Sequence, residues 1–227
     1  MARRFILGGY WLARSERVEK CAEDVGSFLA RLSSIAPVFA DWYETGRSRK
    51  DALERKVDIR NLQKLEALLL KGRIKRDVGG DIIKELGFNV DLWNGASRDG
   101  SEASVSIHCG SSTSRVGNYV VVDLPALSAD WVDRAYELLE ATAEIWVPDW
   151  AGIMSSQAMQ QRSPGSKRPV LDWMVYVPRA IKSVPAPARV ESLGQLGSIV
   201  VLQPDLPGED TAGRSALVQE IEGLLDV

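Results

Sequence analysis

Residues 129–146, ADWVDRAYELLEATAEIW, constrain the fold more than any other stretch of this chain. At 100° per residue, Trp131, Val132, Ala135, Leu138, Leu139, Thr142 and Trp146 share one side of a helix. Asp130, Asp133, Glu137, Glu140 and Glu144 fall within an arc of about 80° on the opposite side. A helix divided in this way must lay its apolar side on a core, and strand-like segments on both sides of it in the sequence supply one. Before it, 88–93, 102–109 and 118–124 are short runs separated by Gly, Asn and Ser turns. After it, LDWMVYVP (171–178) and SIVVLQP (198–204) read as two more strands.

The rest of the chain is mostly helical in pattern. Residues 4–13 read as a first strand. Ser15 is placed to cap a long helix carrying Val18, Cys21, Ala22, Val25, Phe28, Leu29 and Leu32 on one face, which should stop before Pro37. PVFADWYETG predicts a short helix ending near Gly46. RSRKDALERKVDI is charged surface. NLQKLEALLLKG sets Leu62, Leu65, Leu68 and Leu69 on one side, with Gly72 as the stop. GDIIKELG predicts a further short helix closed by Gly87, and SALVQEIEGLL a closing one. RSPGSKRP (162–169) is a loop, and KSVPAPARVESLGQLG, punctuated by Pro and Gly, reads as a surface excursion. With short loops and no internal repeat, the expectation is a single α+β domain over 1–227, a mainly antiparallel sheet packed by helices.

Composition narrows the function classes. Of 227 residues, 45% are hydrophobic and 26% charged, enough for a core and unlike a disordered chain. The net charge of −3 argues against a dedicated nucleic-acid binder. The charge is uneven: residues 1–118 hold 20 Lys/Arg against 16 Asp/Glu, and 119–227 hold 8 against 15, so the second half is the one suited to a basic partner. Two cysteines make no disulfide framework. MARRFILGGYWLA is too short and too broken by Gly8 and Gly9 for a signal peptide, and no run approaches a membrane span. The expected location is the cytoplasm, with no membrane partner.

The one histidine, in VSIHCG (105–110), stands beside one of the two cysteines, and a thiol with an imidazole is the equipment of a cysteine hydrolase. On a strand, however, neighbouring side chains point to opposite faces. Val105, Ile107 and Cys109 would face one way and Ser104, Ser106 and His108 the other, so His108 and Cys109 cannot pair with each other. A buried Cys109 and a His108 on the polar face follow; a hydrolase using Cys109 is the enzyme alternative. Cys21, on the apolar stripe of the first helix, reads as an inert core thiol. The loop GSSTSRVGN lacks the Lys-Ser/Thr pair of a phosphate loop and leads into a strand, so it reads as a turn between paired strands. One histidine and no paired CxxC leave no metal-ligand set, and no cofactor is implied.

Two charged features remain. Arg47, Arg49, Lys50, Arg55, Lys56, Lys71, Arg73, Lys75 and Arg76 could touch phosphate, which is the basis of a second alternative, a nucleic-acid-binding regulator. Interleaved Glu44, Asp51, Glu54, Asp58 and Asp77 favour a solvated surface with local ion pairs. The acidic row Asp130, Asp133, Glu137, Glu140 and Glu144 could imitate a phosphate track, occupy a basic groove and speed encounter. Of seven tryptophans, Trp131 and Trp146 belong to a core face. Among Trp11, Trp42, Trp93, Trp150 and Trp173, any exposed one is a candidate interface anchor.

Several landmarks in order resemble the immunity protein 52 family of bacterial polymorphic toxin systems. They are GGYWLARSERVEKCAEDVGSFLARL, WYETGRSRKDAL, LGFNVDLWNG, VSIHCG, GNYVVVDLP and WVPDWAGI, and they span roughly residues 8–155. The resemblance implies a non-enzymatic inhibitor that protects a toxin producer and its kin. The partner it implies is a cognate secreted toxin, a nuclease of restriction-endonuclease fold, often delivered by type VI secretion. None of the shared motifs is catalytic, and direct binding of nucleic acid is not expected.

Overall fold

The computed structural model describes residues 4–77, 79–97, 100–128, 131–162, 168–207 and 212–225. They fall into two compact units, one of Tyr10–Pro125 and one of the residues up to Gly9 together with those from Ala126 on. The fold is α+β. Among the described residues it has nine strands and six α-helices, and each strand pair whose register is described is antiparallel. The first strand, β1 (Phe5–Trp11), passes from one unit into the other.

In the Tyr10–Pro125 unit, α1 (Val18–Ile35) buries Cys21, Val25, Phe28, Leu29 and Leu32 along one stripe. It starts after Arg17, whose side chain makes no cap, rather than after Ser15. Pro37 ends it as expected, with a 3-10 turn over Pro37–Phe39. The helix anticipated over 37–46 does not form. Phe39 stacks on the buried Trp42, and Tyr43–Glu44 become strand β2, paired with Trp93 and Leu92. Two aromatic residues side by side fit a pleated, half-buried surface better than a short uncapped helix. Helix α2 (Arg49–Leu53) follows, capped by the Ser48 hydroxyl. Asn61 then caps α3 (Leu62–Lys71), which packs on α1 through Leu65 and Leu69.

Strands β3 (Phe88–Trp93), β4 (Ser104–Cys109) and β5 (Asn118–Asp123) complete this unit in the order β2-β3-β4-β5. Two glycines let the chain approach it closely. A Cβ on Gly72, at the end of α3, would lie 1.8 Å from the Asn89 carbonyl oxygen. One on Gly87, where φ is +68°, would lie 2.3 Å from that of Cys109. The segment expected as a helix before Gly87 is only a 3-10 turn, Lys84–Leu86. The β4–β5 connection is held by buried Asn118. Its amide accepts from Ser111 N–H at 2.9 Å and donates to the Leu12 carbonyl at 2.8 Å.

In the other unit, α4 (Trp131–Trp146) packs on β6 (Trp150–Ser155) and β7 (Met174–Val177). The short α5 (Ser156–Gln160), capped by Ser155, follows β6. Within the expected surface excursion, Arg189–Ser192 form an edge strand, β8, against β9 (Ser198–Val201), so the order here is β6-β7-β9-β8. Helix α6 (Ala212–Leu225) brings Ile221 and Leu225 onto Val175, Val177, Val200 and Leu202. Each residue of β6, β7 and β9 is buried. The loop expected at 162–169 lies largely outside the described residues.

Candidate partner-binding faces

The acidic row on α4 is present as a surface feature. Asp133 and Glu144 are exposed, Glu137 and Glu140 half-buried, and Asp130 lies outside the described residues. The opposite side buries Trp131, Ala135, Leu138, Leu139, Thr142 and Trp146, as the periodicity predicts. The Thr142 hydroxyl donates to the Leu138 carbonyl at 2.8 Å, which satisfies a buried polar group within the helix. Val132, expected among the core residues, is half-buried at the margin of the stripe. The Arg134 guanidinium sits over the Trp131 ring, 5.5 Å from its centroid. Burial first, and then the carboxylates of Glu140 and Glu191, push the Tyr136 phenol up. Glu144 stands in the last helical turn, which holds no cation. A carboxylate there opposes the helix dipole, typically by about 0.3–1 kcal/mol, so the residue is not placed for helix stability.

The cysteine–histidine pair separates as the strand alternation requires. Val105, Ile107 and Cys109 are buried on the helix side, where the Cys109 thiol meets Cys21 of α1. That contact first, and then burial, push the Cys109 thiol well above its ordinary range, which opposes a nucleophilic thiolate. Cys21 in turn lies 3.9 Å from Glu16. His108 lies on the other face as expected, yet it is buried. Its Nδ1 bonds to Asn89 Oδ1, and its ring stacks on Tyr119 at 5.6 Å. Its Nε2 is buried without a hydrogen-bond partner, and burial lowers its pKa.

Three of the nine residues of the basic stretch, and Lys64 beside them, pair with local carboxylates. Arg55 pairs with Asp51 at 2.8 Å, Lys56 with Asp41 at 2.7 Å, Lys71 with Glu44 and Lys64 with Asp58 at 3.5 Å. An open hollow of about 590 Å³ beside it, lined by Thr45, Gly46, Arg47, Asp51 and Arg55, mixes both signs of charge. Phosphate binding at Arg55, Lys56 or Lys71 would have to break these pairs.

Sequence reasoning set Ser104, Ser106 and His108 opposite the core but did not join them to the rest of the far face of the β2–β5 sheet. Tyr43, Asn89, Asp91, Trp93, Ser104, Ser106, His108, Tyr119, Val121 and Asp123 alternate with the core residues, and the registers align them in rows. Six of the seven tryptophans are buried; Trp93, on this face, is half-buried. Its ring lies 6.2 Å from that of Tyr43. The alternation in FNVDLW and SVSIHC was readable, but which side stayed open depends on α1 and α3, which pack on the other.

Half-buried Trp and Tyr side chains on a sheet face are of the residue types enriched in protein interfaces. The chain belongs to the immunity protein 52 family, whose model matches residues 4–226. It is therefore an immunity protein, of a kind that binds a cognate toxin. No curated protein matches it. No helix among the described residues is long and apolar enough to cross a membrane.

Proposed function

We propose that this immunity protein neutralises a cognate nuclease toxin by forming a stoichiometric complex with it, without catalysis of its own, in the cytoplasm of the producing cell. Delivery of that toxin by type VI secretion belongs to the same reading. The observation that carries the nuclease assignment is the α4 face. Asp133, Glu137, Glu140 and Glu144 project from one side of a helix whose other side is locked into a core. A fixed row of carboxylates suits the cationic groove in which a nuclease holds its substrate's phosphates. Asp130 extends the row in the sequence. Complementary long-range charge raises the association rate more than the affinity, so α4 is assigned to steering.

The test is a titration of the cognate toxin with this chain. Nuclease activity is expected to fall linearly to zero at a fixed molar ratio. The variant Glu137→Lys, Glu140→Lys, Glu144→Lys is expected to associate at least about tenfold more slowly at low salt, with the gap closing as salt rises. Full nuclease activity with the chain in excess would refute the inhibitor reading. Unchanged association of the triple variant would remove α4 from the interface.

A further inference from the structure

We infer that the open face of the β2–β3–β4–β5 sheet is the surface that grips the toxin, taking cationic side chains of that protein between its aromatic rings and carboxylates. The inference rests on the reading of the chain as a toxin-binding immunity protein. Asp91 and Asp123 are both exposed on this face. Each accepts a hydrogen bond across the sheet, Asp91 from the Ser106 hydroxyl and Asp123 from the Ser104 hydroxyl at 2.7 Å. Neither has a cation partner among the described residues, whereas Arg55, Lys56 and Lys71 pair with other carboxylates. A carboxylate held by one hydroxyl keeps lone pairs for an incoming donor, and that hydrogen bond favours one rotamer before binding.

Around these two carboxylates lie half-buried Tyr43, Trp93, Tyr119 and Val121. Tyr and Trp supply large contact area at low entropic cost, and their ring faces attract guanidinium and ammonium groups. Asp91 and Asp123 stand two strands and one row apart, roughly 12 Å by strand spacing, so each takes a separate cation. The signs of charge select the occupant. A second copy packed face to face would set these carboxylates against their like, and nucleic acid would bring phosphates to them. A protein surface bearing Arg or Lys among apolar side chains fits.

The face is tested by binding kinetics against the cognate toxin, made catalytically inactive. The variants are Asp91→Asn, Asp123→Asn, which keeps the serine hydrogen bonds, and Asp91→Lys, Asp123→Lys. Cooperative melting confirms that each is folded. The expected result is dissociation faster by at least about tenfold in the asparagine variant and more in the lysine variant. If folded variants dissociate like the wild type while the wild type binds, the face is not the grip and the immunity reading stands. If the wild type itself does not bind this toxin, that reading fails for the pair, and the inference fails with it.

Discussion

The sheets of the two units are covered differently. In the Tyr10–Pro125 unit, α1 and α3 pack on one side, and β3, β4 and β5 alternate between buried Val90, Leu92, Val105, Ile107, Val120 and Val122 and an open row of polar and aromatic residues. In the other unit, β6, β7 and β9 are buried at every position, with α4 and α6 among the elements packed on them. Strands buried at every position have no face to offer, so beyond the edge strand β8 the surface chemistry there lies on the outer side of a helix. The half-covered sheet offers its own strands. A flat array of short side chains fixed by cross-strand hydrogen bonds is suited to tight contact, and long carboxylates on a helix are suited to a field felt at a distance. The units also differ in charge. Tyr10–Pro125 holds 18 Lys/Arg and 17 Asp/Glu, and the other unit 10 and 14.

The contrast can be broken from its core outward. Trp42, buried and stacked on Phe39 beneath the open sheet, should cost about 3–5 kcal/mol of stability as Trp42→Ala. Trp93→Ala, on the open side, should cost much less stability while loosening the toxin. Urea unfolding of both variants checks this, and equal losses would mean that Trp93 is core.

A smaller effect separates the buried histidine from the exposed residues around it. Burial lowers the folded-state pKa of His108 below its ordinary 6.5. The unfolded chain therefore takes up a proton at a higher pH than the folded chain does. Stability should be full above pH 6.5 and fall as pH drops through that value toward the folded pKa. His108 is the one histidine in the chain, so His108→Gln should flatten the slope between about pH 5.5 and 7. Denaturant midpoints measured across that range decide it, and an unchanged slope would show that His108 is not its source.

The smallest effect has the opposite sign. Glu144→Lys puts a cation in the last turn of α4, where the dipole favours it, and should raise stability by about 0.3–1 kcal/mol. It should also slow toxin association. A melt and a stopped-flow trace on one sample test both, and a gain in stability with no change in association would mean that Glu144 does not steer.

What could be read from the sequence follows the same division. Strands with one open face carry a two-residue period, so 88–93 matched β3 at both ends, and the opposed faces of His108 and Cys109 followed. Helix α4 was legible because its core and acidic sides are separated by charge. Strand β6 was not legible: WAGIMS is buried at all six positions and has no polar alternation. Strand β8 was hidden by the prolines and glycines around RVES, and its pairing with β9 is set by tertiary contact. The α4 carboxylates were visible as a charge pattern. The sheet face was not, because Asp91, Ser106 and Val121 come from three separate segments and only their register makes them one row.

The most direct test of the account is to measure association and dissociation rates of the inactive toxin at two ionic strengths, for the wild type, the α4 triple-lysine variant and the Asp91→Asn, Asp123→Asn variant. The account predicts that the α4 variant associates slowly at low salt and dissociates normally, while the sheet variant associates normally and dissociates fast. Two folded variants with wild-type rates at both ionic strengths would contradict it.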